Sequence, residues 1–195
     1  PWWQVGQGID PELKDLPRRA YLANFGELVR QKDVHRAVVL MGPRRVGKTY
    51  LVKHTIHDLL ENHGVSGRDI LYVMLETPIY NRLSLDDLVS RFRKLFQRPA
   101  GQTLYIFFDE IQYLKDWEVH LKSLVDRHRD IRFVATGSSA VALKTKSAES
   151  GAGRFTEYML PPLTFAEYLR FINKEDDLIT CIHKGETSRY AANDI

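Results

Sequence analysis

Short apolar segments alternate with amphipathic segments along most of the chain. Five of the apolar segments are candidates for strands: Ala37–Met41, Ile70–Leu75, Leu104–Phe108, Arg132–Thr136 and Glu157–Leu160. They are rich in β-branched and aromatic residues, and their apolar character is nearly continuous. This pattern predicts strands that are buried on both faces, as in a parallel sheet.

The segments between these strands repeat their apolar residues at helical spacing. They predict helices over Tyr21–Gln31, Thr49–Asn62, Ser84–Phe96 and Asp116–His128, and a fifth helix that follows Thr164 and runs through Ile172. Ser84 with Asp87, and Thr164 with Glu167, have the three-residue spacing of a capping box. Repeated alternation of strand and helix predicts βαβ units with right-handed crossovers, and therefore an α/β fold.

Composition and charge exclude several classes of protein. The chain has 195 residues, of which 44% are hydrophobic and 27% charged, and its formal net charge is +3. These values exclude a collagen, a disordered tail and a disulfide scaffold, and the charge is too small to indicate a nucleic-acid-binding protein. The single cysteine, Cys181, favours a reducing compartment, so we expect a cytoplasmic protein. No apolar run approaches the ~20 residues that a membrane helix needs, so no membrane association is expected.

One motif carries a specific chemical prediction. The segment after the first predicted strand matches the pattern G-x-x-x-x-G-K-[ST], with the residues Gly42, Pro43, Arg44, Arg45, Val46, Gly47, Lys48 and Thr49. A strand precedes it and an amphipathic helix follows it, which is the context that a phosphate-binding loop requires. Backbone N–H groups and the positive end of the helix would then face a phosphate.

The side chains of this motif have separate expected roles. Lys48 would reach the β- and γ-phosphates of a nucleotide, and the Thr49 hydroxyl would bind Mg²⁺. Arg44 and Arg45 are assigned to the nucleotide-binding segment without a side-chain role, and Tyr50, which directly follows, is included in that segment. The sequence therefore predicts a site for a nucleotide with Mg²⁺.

A pair of acidic residues follows the third predicted strand. Asp109 and Glu110 come directly after five apolar residues, at the carboxyl end of that strand. Ligands bind at this edge of parallel sheets, so we expect the pair to lie close to the phosphate loop. Asp109 would hold Mg²⁺, and Glu110 would accept a proton from an attacking water. The pair therefore predicts hydrolysis of the nucleotide as well as binding.

Two further residues are candidates for contacts with the γ-phosphate. The fourth predicted strand ends in small and hydroxyl residues, among which Ser138 is the best candidate, although turn and capping roles explain such residues equally well. Arg154, just before the fifth predicted strand, is a candidate arginine finger in its own subunit or in a neighbouring one. A surface arginine after a flexible loop is the alternative for Arg154.

Taken together, these segments resemble the predicted prokaryotic P-loop ATPases of the AAA+ and archaeal-type ATPase group. The resemblance covers about residues 17–170. It depends on four segments, in this order along the chain: Leu40–Thr49, Phe107–Gln112, Thr136–Ser139 and Gly153–Arg154 with Leu160–Leu169. Many members of this group continue into a C-terminal domain that resembles a restriction nuclease.

The resemblance implies a three-layer α/β/α sandwich around a parallel five-stranded sheet in the order 5-1-4-3-2. It implies ATP and Mg²⁺ as ligands, with Lys48, Thr49, Asp109 and Glu110 in the roles given above and Ser138 at the sensor position. The expected organisation is an N-terminal arm at 1–20, an ATPase domain at 21–172, and the start of a truncated C-terminal region at 173–195.

Four functions remain open at this stage, of which a small-molecule kinase fits less well, because Glu110 directly follows Asp109 and the sequence has no obvious acceptor lid. The first is a Mg²⁺-dependent ATPase core that drives or gates a C-terminal effector. The second is a nucleotide-gated switch or assembly module with little turnover, and the third is a DNA-stimulated motor or defence component. ATP and ADP are the expected ligands, and the resemblance leaves open a homo-oligomer and a DNA or protein partner that binds the missing C-terminal region.

Overall fold

Five parallel strands form the larger sheet of the protein. They are Ala37–Gly42 (β1), Ile70–Met74 (β2), Leu104–Asp109 (β3), Ile131–Ser138 (β4) and Phe155–Met159 (β5). The strands lie in the order β2-β3-β4-β1-β5, and all four pairings are parallel. The expected order 5-1-4-3-2 is therefore confirmed. The computed structural model describes residues 2, 4, 8–80, 83–97, 101–138, 153–175, 179–184 and 187–192.

Six α-helices accompany the strands in the described ranges. They are Pro11–Lys14 (α1), Leu22–Arg30 (α2), Lys48–Glu61 (α3), Leu85–Phe96 (α4), Trp117–Arg127 (α5) and Phe165–Phe171 (α6). Both predicted capping boxes are present, at the start of α4 and at the start of α6. The sequence analysis did not predict α1, a single turn that Asp10 caps. Among the described helices, none combines the length and apolarity needed to cross a bilayer.

The sheet separates two apolar clusters, and β1 contributes to both. Val38 and Leu40 face a cluster that includes α2 and α3, whereas Val39 and Met41 face a cluster that includes α4 and α5. Side chains alternate across a strand, so an unbroken apolar strand fills the cores on both faces of the sheet. This arrangement is the expected three-layer sandwich.

The two edge strands depart from the prediction that all five strands are buried on both faces. The side chains of β1 and β3 are fully buried, but those of β2 and β5 are partly exposed, and Met159 is 52% exposed. An edge strand has a neighbour on one side alone, so fewer side chains cover it. The prediction of complete burial was therefore wrong for β2 and β5.

A buried cation joins β4 to the end of α2. Arg132 is 6% exposed, and its guanidinium donates to the carbonyl oxygens of Val34 (2.7 Å), Val29 (3.3 Å) and Leu28 (3.4 Å). The last carbonyls of a helix have no partner within the helix, and a positive charge is favourable there. Arg132, a residue of the sheet, therefore supplies hydrogen-bond donors to the last carbonyl groups of α2.

Replacing Arg132 with methionine is expected to lower the free energy of unfolding by about 3 kcal/mol. Hydrogen bonds to charged groups contribute about 1.5–3 kcal/mol, and the buried carbonyls would lose their partner. Chemical denaturation measures the change. The matched control is Arg127→Met, because Arg127 forms an exposed ion pair with Asp86 at 2.5 Å. Such pairs contribute about 1 kcal/mol at most. Equal losses in the two variants would contradict the capping role.

The chain forms two compact units, Pro1–Leu160 and Pro161–Ile195. The second unit contains α6 and an antiparallel pair of strands, Ile179–Lys184 (β6) and Thr187–Ala192 (β7). The sequence analysis did not predict this pair. The division after Leu160 falls within the predicted ATPase domain at 21–172, and the predicted domain limits at 20/21 and 172/173 stay predictions.

Candidate functional site

The predicted phosphate loop connects β1 to α3 at the carboxyl edge of the sheet. Two of its residues have left-handed backbone conformations, Arg45 (φ 63°) and Gly47 (φ 94°). The second is the N-cap of α3, so the loop turns directly into the helix. A helix N-terminus has free N–H groups and a partial positive charge, which together favour an anion. The loop therefore has the form that phosphate binding requires.

The glycine that opens the loop lies against the end of β5. A Cβ atom built on Gly42 would come within 2.5 Å of the carbonyl oxygen of Leu160. Backbone atoms do not yield at that distance, so glycine is required here for close packing. The Gly at this position of the motif thus has a structural cause as well as a functional one.

The lysine of the motif turns back into the loop. Lys48 is 5% exposed, and its ammonium donates to the carbonyl oxygens of Gly42 (3.1 Å) and Pro43 (2.9 Å). Burial lowers the pKa of Lys48 from its ordinary value, and the nearby carboxylates Glu110 and Asp109 oppose this shift. The structure therefore brings the cation, the loop and the acidic pair into one site.

The first acidic residue is completely buried and accepts hydrogen bonds from three hydroxyls. Asp109 is 0% exposed. Its Oδ2 accepts from Thr49 (2.9 Å) and from Tyr72 (2.6 Å), and its Oδ1 accepts from Thr136. The bond from Thr49 joins the start of α3 to the end of β3. The two residues expected to hold Mg²⁺ are thus direct neighbours.

The second acidic residue has an unusual backbone and a side-chain partner. Glu110 has φ 57° and ψ 51°, the left-handed region, and its N–H donates to Thr136 Oγ1 at 3.0 Å. The side-chain amide of Gln112 donates to the Glu110 carboxylate. The backbone therefore turns sharply after Asp109, and Thr136 contacts both residues of the pair.

Thr136 and Tyr72 are site residues that the sequence analysis did not single out. Thr136 lies in the hydroxyl-rich end of β4, where Ser138 was the preferred residue. Tyr72 lies within the apolar segment of β2. Burial and the charge of Asp109 raise the pKa of Tyr72 above its ordinary value, so the phenol stays protonated and donates. A tyrosine on an otherwise apolar strand beside the acidic strand was the available signal.

Ser138 and Arg154 have different positions relative to the loop. Ser138 is paired with Gly42 in the register of β4 and β1, so it lies at the edge that carries the loop. Its contact with a phosphate stays a prediction. Arg154 directly precedes β5, and β5 begins beside Ala37 at the opposite edge of the sheet. Its guanidinium pairs with Asp126.

The position of Arg154 corrects one expectation. Ala37 and Gly42 are separated by the length of β1, about 16 Å at ~3.3 Å per residue. An arginine at the amino edge of a parallel sheet does not reach a phosphate at the carboxyl edge of the same sheet. A finger role for Arg154 within its own subunit is therefore wrong. A role across a subunit interface stays a prediction.

The other predicted residues of the nucleotide-binding segment are largely exposed. Pro43, Arg44 and Arg45 are exposed, Val46 is half-buried, and Tyr50 is 47% exposed on the first turn of α3. Contacts of these side chains with a nucleotide stay predictions.

Arg19, in the segment before α2, donates a hydrogen bond to the backbone of the phosphate loop. It is 7% exposed, its Nη1 donates to the carbonyl oxygen of Val46 at 2.5 Å, and its guanidinium lies 5.4 Å from the centre of the Tyr21 ring. The sequence analysis did not assign a role to Arg19. The structure thus ties the segment around residues 19–21 to the loop.

The residues at the end of β3 and the start of α3 fit a magnesium ion. The Thr49 hydroxyl and the Asp109 carboxylate are oxygen donors 2.9 Å apart, and hard cations such as Mg²⁺ bind through few protein oxygens together with phosphate. Within the described ranges, no group of three or more His, Cys, Asp or Glu side chains is arranged to hold a metal ion.

Two curated proteins without a described function are similar in sequence to this chain. An uncharacterized protein of Haemophilus influenzae is 32% identical over 162 residues, which are 81% of this chain and 38% of that protein. The uncharacterized protein MJ1637 of Methanocaldococcus jannaschii is 31% identical over 144 residues, which are 71% of this chain and 28% of that protein. The chain therefore spans about a third of the length of the curated relatives it matches.

A solved structure and a family description also match. The Aeropyrum pernix ORC1 protein, determined in complex with DNA, has a TM-score of 0.58 at 16% identity, over 87% of this chain and 52% of that one. At this identity the likeness shows the fold alone. Residues 34–169 match the family described as an AAA domain. This chain therefore belongs to the AAA domain family, and its first compact unit is a P-loop core of the AAA+ type.

Proposed function

We propose that this chain binds ATP with Mg²⁺ and hydrolyses it to ADP and phosphate. One observation carries the proposal: the Thr49 hydroxyl donates to Asp109, so the phosphate loop and the acidic pair meet at one edge of the sheet. A binding module needs the loop alone. The carboxylate of Glu110 beside it adds the group that hydrolysis requires.

The triphosphate would bind with its β- and γ-phosphates in the loop. Backbone N–H groups at the start of α3 would donate to phosphate oxygens, and Lys48 would exchange its two carbonyl partners for them. Thr49 and Asp109 would hold Mg²⁺, which supplies charge stabilisation at the β- and γ-phosphates. These groups favour the charge that develops on the transferring phosphoryl group.

Hydrolysis would begin with a water next to Glu110. The water oxygen attacks the γ-phosphorus, its proton passes to the Glu110 carboxylate, and the bond between the γ-phosphorus and the bridging oxygen breaks to release ADP. The hydrogen bond from the Gln112 amide and the turn at Glu110 hold the carboxylate in place. Ser138, at the end of β4 beside Gly42, is the proposed contact for the γ-phosphate.

The remaining parts of the proposal concern the whole protein. We infer that the relatives' additional length carries an effector that ATP drives or gates, since this chain spans only 28–38% of them. Assembly into a homo-oligomer and coupling to a protein or DNA partner belong to the same proposal, as does a cytoplasmic setting, where ATP is available. The DNA complex of the Aeropyrum pernix protein makes DNA the first partner to test.

Steady-state phosphate release tests the proposed function. With ATP and Mg²⁺ the chain is expected to release phosphate continuously, and chelation with EDTA is expected to stop it. Duplex DNA is added in a parallel series at several salt concentrations, because binding to phosphates weakens as salt rises. Tight ATP binding without release would favour the nucleotide-gated switch, and stimulation by DNA would favour the motor. Absence of both binding and release would contradict the proposal.

A further inference from the structure

We propose that Tyr72 is a positioning residue for the magnesium carboxylate, a role that rests on the proposed function. The inference starts from the two sides of Asp109. Thr136 donates to Oδ1, whereas Thr49 and Tyr72 both donate to Oδ2. Thr49 is the residue whose hydroxyl would turn to Mg²⁺ when the ion binds. Tyr72 would then keep Oδ2 in place while the carboxylate faces the ion.

The geometry of the sheet gives Tyr72 this position. Tyr72 is paired with Phe107 in the register of β2 and β3, two residues before the pair Met74 and Asp109. Residues two apart along a strand point to the same face. The Tyr72 side chain therefore extends diagonally across the sheet surface toward Asp109, and its hydroxyl oxygen lies 2.6 Å from Oδ2.

The Tyr72 ring is held from the helix above it. Lys53 lies one turn after Thr49 on α3, and its ammonium lies 3.5 Å from the centre of the Tyr72 ring. A cation over an aromatic face is attracted by the ring, most strongly where water is excluded. Lys53 thus fixes the plane in which the Tyr72 hydroxyl points at Asp109.

Trp2, near the start of the chain, contacts both Lys53 and Tyr72. The Trp2 ring centre lies 5.0 Å from the Lys53 ammonium and 6.1 Å from the Tyr72 ring centre, and the indole N–H donates to the carbonyl oxygen of Ile70 at 3.1 Å. Trp2 therefore packs Lys53 against Tyr72. Contacts therefore link Trp2, through Lys53 and Tyr72, to the Asp109 carboxylate.

Partners that orient a metal ligand influence how tightly the metal ion binds. Their replacement commonly costs about 10–100-fold in metal affinity or activity. The variant Tyr72→Phe removes the hydroxyl and keeps the ring beneath Lys53. It is expected to raise the Mg²⁺ concentration at half-maximal ADP binding by about tenfold or more. The affinity for ADP in EDTA is expected to stay close to wild type, whereas the melting temperature is expected to fall, because Asp109 loses one buried hydrogen bond.

Two titrations test this expectation without using turnover. Fluorescent ADP is titrated with Mg²⁺, and Mn²⁺ binding in the presence of ADP is followed by electron paramagnetic resonance. The matched control is Tyr105→Phe, because Tyr105 is a buried tyrosine on the same face of the neighbouring strand β3. The control is expected to keep the wild-type Mg²⁺ midpoint.

The outcomes separate this inference from the proposed function. A Tyr72→Phe midpoint within twofold of wild type would overturn the positioning role and leave ATP binding intact. Absence of Mg²⁺-dependent ADP binding in the wild-type chain would overturn the proposed function as well. If Tyr72→Phe does not fold, Lys53→Met serves instead, since it keeps the hydroxyl and loosens the ring. A smaller shift in the same direction supports the role, and an unchanged midpoint overturns it.

Discussion

Replacing Lys48 with alanine is expected to abolish the thermal stabilisation that ATP gives the wild-type chain. The ammonium is buried in the loop and lies beside the place that the β- and γ-phosphates would occupy. A ligand at a hundred times its dissociation constant stabilises a folded protein by about 2.7 kcal/mol. The variant is expected to lose nearly all of this gain. Thermal unfolding with and without ATP and Mg²⁺ measures the difference.

The control for Lys48→Ala is Arg129→Ala, an exposed residue shortly before β4 at the amino edge of the sheet. It removes one positive charge, as Lys48→Ala does, but lies at the edge of the sheet away from the phosphate loop. We expect the control to keep most of the stabilisation by ATP. Unchanged ATP affinity in Lys48→Ala would refute the assignment of the phosphate loop and, with it, the proposed function.

Replacing Glu110 with glutamine is expected to preserve ATP binding and to reduce hydrolysis by about 10²–10⁴-fold, the usual contribution of a general base. The amide keeps the shape of the side chain but does not accept the proton of the attacking water. Gln112 Oε1 is buried without a hydrogen-bond partner in the described structure, so it can accept from the new amide. The fold of the turn is therefore expected to persist.

Glu76→Gln is the matched control for the general base. Glu76 also lies at the carboxyl edge of the sheet, just after β2, where it accepts a hydrogen bond from the Tyr113 hydroxyl at 3.2 Å. Phosphate release under saturating ATP and Mg²⁺ is compared for the two variants and the wild type. If Glu110→Gln hydrolyses ATP at the wild-type rate, Glu110 is not the base. If Glu76→Gln hydrolyses ATP equally slowly, the loss of a negative charge at the carboxyl edge of the sheet, and not the loss of a general base, explains the effect.

The sequence was sufficient to predict the elements that carry the loop and the acidic pair. The phosphate loop that leads to Lys48 follows one apolar strand, Asp109 ends another, and the carboxyl ends of parallel strands share one edge of a sheet. From that rule, the sequence alone predicts that Lys48 and Asp109 lie close together. The same rule also accounts for Arg154, because a residue that precedes a parallel strand lies at the amino edge. The prediction of an arginine finger in the same subunit did not take into account that β5 runs parallel to β1 and begins at the amino edge.

The partners of the acidic pair could not be predicted in the same way. Tyr72 reaches Asp109 through the register between β2 and β3, and a shift of one residue would turn its side chain to the other face. Tyrosine is also common in strands for its packing alone, so a tyrosine beside the acidic strand was a weak signal by itself. In the sequence, Thr136 and Ser138 are equally good candidates for a hydroxyl near the acidic pair. In the structure, the turn at Glu110 directs its N–H to Thr136, so Thr136 is the residue that contacts the pair.

The resting contacts of Lys48 bear on how ADP would leave the proposed site. The ammonium donates to the carbonyl oxygens of Gly42 and Pro43, and Arg19 donates to that of Val46. Under the proposed function, a phosphate that enters would compete with the two carbonyl partners of the ammonium, which would weaken binding of ATP and ADP alike. When ADP left, the same carbonyls would accept from the ammonium again. The loop would thus limit how long the proposed product is retained.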